Sequence, residues 1–180
     1  RQPLPSTYRL EGDARLITNT LGAYGLIFGG DEQEQTGYAF VVFPTEQAYV
    51  ITRQDADGTW TTLEDEDYTP IINPGTATNR LRVDRIGSSI HAYVNDVLVA
   101  TWDDDSYMGT GLYFGLIAYS YQEGAVDARF DNFSACQTAL SSPLFVDDFS
   151  VSGRWYEADH GWGRFSYQEG EYEILIRNTD

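Results

Sequence analysis

Lysine is absent from the 180 residues, and all 11 basic side chains are arginine. Against 28 acidic residues this leaves a net charge of -17, which opposes phosphate backbones and anionic lipid surfaces. Nucleic acid is therefore not expected as a partner. No apolar run approaches the length of a membrane span, so no membrane insertion is expected. A single cysteine, Cys136, allows no intrachain disulfide and reads as a small buried or half-buried side chain, with an intermolecular bridge as the alternative. The two histidines, His91 and His160, stand apart, and neither has a serine or cysteine nucleophile signature beside it. Long amphipathic helical periodicity is missing as well. What the chain has in quantity is tyrosine, at 13, and glycine, at 17, within an aromatic content of 14%. That is the composition of short strands and tight turns. The chain starts at Arg1, not methionine, and is read as a processed or excised piece.

The clearest stretch runs from Asn79 to Trp102. Apolar residues fall on alternate positions in Leu81-Arg82-Val83-Asp84-Arg85-Ile86 and again in Ile90-His91-Ala92-Tyr93-Val94. Gly87-Ser88-Ser89 and Asn95-Asp96 supply two turns, and Val97 to Trp102 leaves as a third strand. A meander of this kind buries one face, so a second sheet must cover it. Further strands are predicted at Tyr8–Ile17, Leu21–Phe28, Tyr38–Phe43, Ala48–Arg53, Trp60–Leu63, Gly111–Tyr121 and Ala125–Phe133. The prediction is an all-β, two-sheet antiparallel jelly roll.

The Asn79–Trp102 stretch, Tyr24-Gly25-Leu26-Ile27-Phe28, Gly111-Leu112-Tyr113-Phe114-Gly115-Leu116 and Phe130-Asp131-Asn132-Phe133 occur in an order that resembles the concanavalin A-like lectin and glucanase sandwiches. The likeness is greatest to their laminin-G-like and DUF1080-type branch. It covers roughly Tyr8 to Ser134 and implies fold more than function. Leu144 to Ile176, with its Asp147-Asp148-Phe149-Ser150 and Tyr167-Gln168-Glu169-Gly170-Glu171-Tyr172-Glu173-Ile174, resembles the opening strands of the same family, displaced here to the end of the chain. The domain reading is a sandwich body at 1–136, a linker at 137–143 and a strand-forming tail at 144–180 that completes this sandwich or a neighbouring one. Phe145, Phe149, Tyr167, Tyr172, Ile174 and Ile176 are its candidate assembly residues.

Glu11-Gly12-Asp13 is the best catalytic suspect, because the family's glucanases place carboxylates on alternate positions of one strand. The third carboxylate of that pattern is replaced by Arg15, and the chain is read as no enzyme. Asp103, Asp104 and Asp105 are the candidate calcium ligands, though they lack the spacing of a dedicated loop. No other cofactor is expected. Trp162, His160 and Trp60 are the candidate sugar contacts, since an aromatic face packs on a pyranose ring. Asn132-Phe133-Ser134 fits the N-glycosylation pattern at Asn132. The functional reading is an extracellular or cell-surface structural subunit that joins copies of itself head-to-tail into a filament by donating its C-terminal strand; the alternative is a non-catalytic carbohydrate-binding module of a larger secreted protein.

Overall fold

The computed structural model describes residues 7–18, 21–30, 36–107, 114–120, 124–137 and 142–177. Fourteen strands follow one another with no helix among these residues: β1 (Thr7–Leu16), β2 (Gly22–Phe28), β3 (Gly37–Phe43), β4 (Ala48–Gln54), β5 (Trp60–Glu66), β6 (Asn79–Ile86), β7 (Ser89–Val94), β8 (Val97–Asp103), β9 (Phe114–Ser120), β10 (Val126–Gln137), β11 (Ser142–Asp147), β12 (Ala158–His160), β13 (Gly163–Gln168) and β14 (Glu171–Ile176). They form two antiparallel sheets. The larger runs β12-β13-β14-β10-β1-β6-β7-β8, with β11 also on β10, and the smaller runs β5-β4-β3-β2-β9. The all-β sandwich read from the sequence is the observed fold.

Period-two patterning explains the layers. Along β1 every second residue is buried, and Tyr8, Leu10, Ala14 and Leu16 point into the core. They meet Tyr24, Leu26, Phe28, Phe40 and Ile51 from the smaller sheet, all at most 1% exposed. Gly25 lets β2 pass close to β3, because a Cβ there would fall 2.0 Å from the Phe40 carbonyl oxygen. The β7–β8 hairpin turns on Asn95 and Asp96 with φ of 51° and 66°, the left-handed pair that the twist of a two-residue hairpin demands. Asn79 secures the irregular crossing before β6. Its buried amide donates to Tyr24 Oη and the Asn73 carbonyl, and its Oδ1 accepts from the Asn73 backbone N–H and the Asn95 amide. All of that side chain's polar atoms are thus satisfied without water.

The C-terminal segment forms one end of the larger sheet, β12-β13-β14, and joins the body strands at β10. β10 is long enough to share one edge between two partners: Val126–Phe130 pairs with Ile176–Tyr172 of β14, and Phe133–Gln137 pairs with Asp147–Ser142 of β11. Between β11 and β12 the chain closes over an aromatic cluster. The Trp155 ring meets Phe133 at 5.3 Å, Phe149 at 5.7 Å and Tyr172 at 5.6 Å between centroids. Asp147 fixes the corner, accepting from the Phe149 backbone N–H at 2.9 Å and from Trp155 Nε1 at 3.1 Å. Phe165–Ile176, read from the sequence as one strand, is a hairpin turned at Glu169-Gly170, both with positive φ. The last body strand, read as ending at Phe133, continues to Gln137, and β11 begins at Ser142. Residues 138–141 of the expected linker lie outside the described residues.

Phe149 is 1% exposed and Val151, two residues on, is 66% exposed. Phe149→Ala should cost about 3–5 kcal/mol in urea denaturation, and Val151→Ala should stay within about 0.5 kcal/mol.

Candidate functional site

The outer face of the larger sheet is a field of arginines and carboxylates, because the polar half of each alternating strand points there. β1 contributes Glu11, Asp13 and Arg15; β10 contributes Asp127, Arg129 and Asp131; β14 contributes Glu171 and Glu173; β13 contributes Arg164 and Ser166. Register sets Asp13 opposite Asp131, Arg15 opposite Arg129, and Glu173 between Arg129 and Ser166. Arg15 reaches across β10 to hold Glu171 with both fork nitrogens, at 3.0 and 2.7 Å. Arg129 grips Asp127 the same way, at 2.6 and 3.0 Å, and gives Nη2 to Glu173 at 2.8 Å. Glu173 is fully buried, and accepts in addition from both fork nitrogens of Arg164 and from Ser166 Oγ. Burial alone would raise its carboxyl; hydrogen bonds from Arg164 and Ser166 and the charges of Arg129 and Arg164 outweigh it and hold the group below its ordinary value.

Between these pairs lies a cavity of about 160 Å³ lined by Asp13, Ala14, Arg15, Thr78, Arg129, Asp131 and Glu171. A β-bulge shapes its rim: the β1–β10 register slips between Glu11 and Asp13, and Asn132 takes φ of 52°. The Asn132 amide donates to Asp13 Oδ2 at 2.9 Å, and its backbone N–H donates to Asp131 Oδ1 at 2.7 Å. Asp13 and Asp131 have no ion-pair partner among the described residues. Asp131 is raised from its ordinary value, first by burial and then by the charges of Asp13, Glu171 and Asp148, against the opposing Asn132 hydrogen bond. The cavity thus offers donors from two immobilised guanidiniums and acceptors from two uncompensated carboxylates.

The sequence-predicted residues fall in several places. Asp13 and Arg15 line the cavity, and Glu11 sits beside it, 3.2 Å from Arg80. Trp162 and His160 come together at the β12–β13 turn with rings 5.2 Å apart and 8° from parallel, and Tyr156, 64% exposed, also stacks with His160. Trp60 lies on the edge strand of the smaller sheet, 52% exposed. Asp103 and Asp105 are exposed, whereas Asp104 is tied to Tyr38 Oη, Arg53 and Ser106 and brought down to about 2. There burial raises the carboxyl and the hydrogen bonds from Ser106, Tyr38 and Arg53 overcome it. No group of three His, Cys, Asp or Glu among the described residues is placed to hold a metal ion. Phe149, Tyr172 and Ile174 are core residues of this chain, with Phe145, Tyr167 and Ile176 packed against them. Asn132, the glycosylation candidate, is exposed on the bulge at the cavity rim.

Sequence reasoning passed over Arg129, Asp131, Glu171, Glu173 and Arg164. The usable signal was the charge alternation Asp127-x-Arg129-x-Asp131 and Glu171-x-Glu173, which places like-facing charges on strands. What single-strand patterning cannot supply is the register that brings them together.

No family model and no curated protein matches the sequence. Solved structures do share its architecture. The carbohydrate-binding module CBM66 from Bacillus subtilis superposes with a TM-score of 0.58 at 20% identity, over 73% of this chain and 75% of the module. A human galectin-16 variant gives 0.53 at 12% identity, over 75% of this chain and 91% of the galectin. At these identities the likeness is one of fold: a jelly-roll sandwich shared with lectins.

Glu173, buried, and Asp131, half-buried, should have opposite signatures. Glu173 is depressed in the folded state, so its stabilisation is complete above its unfolded value near pH 4.5 and is lost as pH falls through the folded value. Glu173→Gln should therefore destabilise at pH 7 and flatten the acid limb of the stability curve. Asp131 is raised, so it opposes folding once pH climbs above its unfolded value near 3.8. Asp131→Asn should be more stable than wild type at pH 7 and lose that advantage below about pH 3.5, read from urea midpoints across pH.

Proposed function

We propose that the chain is a non-catalytic carbohydrate-binding module that holds sugar in the cavity between β1, β10 and β14. The observation that carries this reading is the cavity itself. Its guanidinium donors are fixed by bidentate ion pairs and its Asp13 and Asp131 acceptors by Asn132, on a rigid sheet, before any ligand arrives, which spares the ordering cost of binding. Guanidinium N–H groups and carboxylate oxygens are the complements of the vicinal hydroxyls of a sugar. The lectin-type fold supports the reading by analogy. An extracellular or cell-surface location follows from the same analogy. Placement in the laminin-G-like or DUF1080-type branch, with its opening strands moved to the C-terminus, rests on the sequence resemblance alone.

Head-to-tail assembly by strand donation is the weaker reading. It needs an apolar tail face left for another copy to cover, and Phe149, Tyr172 and Ile174 are 1–4% exposed within their own chain. Catalysis by Glu11 and Asp13 is disfavoured too, because Arg15 in the third position is spent on Glu171.

A glycan screen followed by calorimetry tests the proposal. Asp13→Ala and Arg15→Ala should each weaken the best ligand about ten- to a hundredfold, the worth of a hydrogen bond to a charged group, while circular dichroism stays native. Failure to bind any glycan, or affinity indifferent to both changes, would contradict it.

A further inference from the structure

The charges around the cavity do not balance, and the imbalance narrows the ligand. Three lining carboxylates, Asp13, Asp131 and Glu171, face two lining guanidiniums, Arg15 and Arg129. Neither guanidinium is free. Arg15 has both fork nitrogens on Glu171, and Arg129 has its fork on Asp127 with Nη2 shared to Glu173. Asp13 and Asp131 stand directly opposite one another across β1 and β10, where like charges repel. Each carboxylate has one oxygen occupied by Asn132, through its side chain for Asp13 and its backbone for Asp131. Asp13 Oδ1 and Asp131 Oδ2 have no donor among the described residues. A sugar hydroxyl would satisfy one such oxygen but would leave the charge. A protonated amine brings three donors and the missing positive charge together.

Resting on the carbohydrate-binding reading, we infer that the cavity selects sugars bearing a free amino group, a hexosamine whose ammonium sits between Asp13 Oδ1 and Asp131 Oδ2 while its hydroxyls meet Arg15, Arg129 and Thr78. Acetylation of the amine removes the charge and two of the three donors and adds bulk to a space of about 160 Å³. Anionic sugars are excluded by the same two carboxylates, within a chain of net charge -17. Screening by salt should weaken the preference without abolishing it, because the pair is partly shielded from solvent.

The test is calorimetry at about pH 6, where the amine is protonated, with glucosamine oligomers against their N-acetylated counterparts of equal length. The free-amine oligomer should bind at least tenfold more tightly, and Asp131→Asn should reduce that ratio to near one. Asp67→Asn, which removes an exposed charge outside the cavity, should leave the ratio unchanged. An equal loss in Asp67→Asn and Asp131→Asn would mean bulk attraction of a cation to an acidic protein and would overturn the inference. Competition by free lysine as strong as that of glucosamine would overturn it as well, since the ammonium alone would then be recognised. Equal affinity for both oligomers would overturn the selectivity while leaving the glycan site standing; binding of neither, with no other glycan bound, would remove the site itself.

Discussion

The contact on which everything else depends is the packing of Trp155 against Phe133, Phe149 and Tyr172. Phe133 belongs to the centre of the larger sheet, and the other three rings belong to the segment that follows it. By joining them, the cluster brings β11 and β14 onto one edge of β10 and sets their register. That register places Glu171 within reach of Arg15 and Glu173 within reach of Arg129. The wall of the cavity is therefore a consequence of hydrophobic burial some residues away. Aromatic packing decides where the chain goes; the charges on the outer face only become neighbours because of it.

The absence of lysine has a structural counterpart. Among the described residues six arginines hold a carboxylate with two nitrogens: Arg9 on Asp84, Arg15 on Glu171, Arg53 on Asp55, Arg129 on Asp127, Arg164 on Glu173 and Arg177 on Asp159. A planar fork matches a carboxylate in this way and an ammonium does not. Exposed pairs of this type add little stability individually. Their value on this face is geometric: they stop long side chains from moving and leave the cavity with fixed donors. Burying Glu173 carries a desolvation cost that its three hydrogen-bonding residues offset. Asp13 and Asp131 have one hydrogen bond each, from Asn132, and no guanidinium among the described residues, and under-compensated groups of that kind are expected at sites that trade stability for function.

Much of the fold was legible in the sequence. Asn79 to Trp102 reads as three strands and two turns because alternation and turn chemistry are both local, and β6, β7 and β8 fall within a residue or two of the predicted bounds. The Glu169-Gly170 turn was less visible, since Gln168 and Glu171 on either side are polar and no apolar boundary marks the reversal. The site was legible only at one end. Asp13 and Arg15 stand out as alternate charges on a strand, but Glu171 is 156 residues from Arg15 and meets it only through the placement of β14. Patterning tells which face a side chain takes. It does not tell which strand will lie beside it, so the sequence pattern alone leaves the tail free to join its own sheet or a neighbouring molecule's.

The central claim is that β14 lies in its own chain's sheet and builds the cavity there. Hydrogen exchange of the Glu171–Ile176 amides, followed over a dilution series together with the sedimentation mass, tests it most directly. The account predicts a species of one chain mass whose β14 amides stay protected at every concentration. Protection that falls on dilution in step with a falling mass would mean that the strand is borrowed from another copy, and would contradict it.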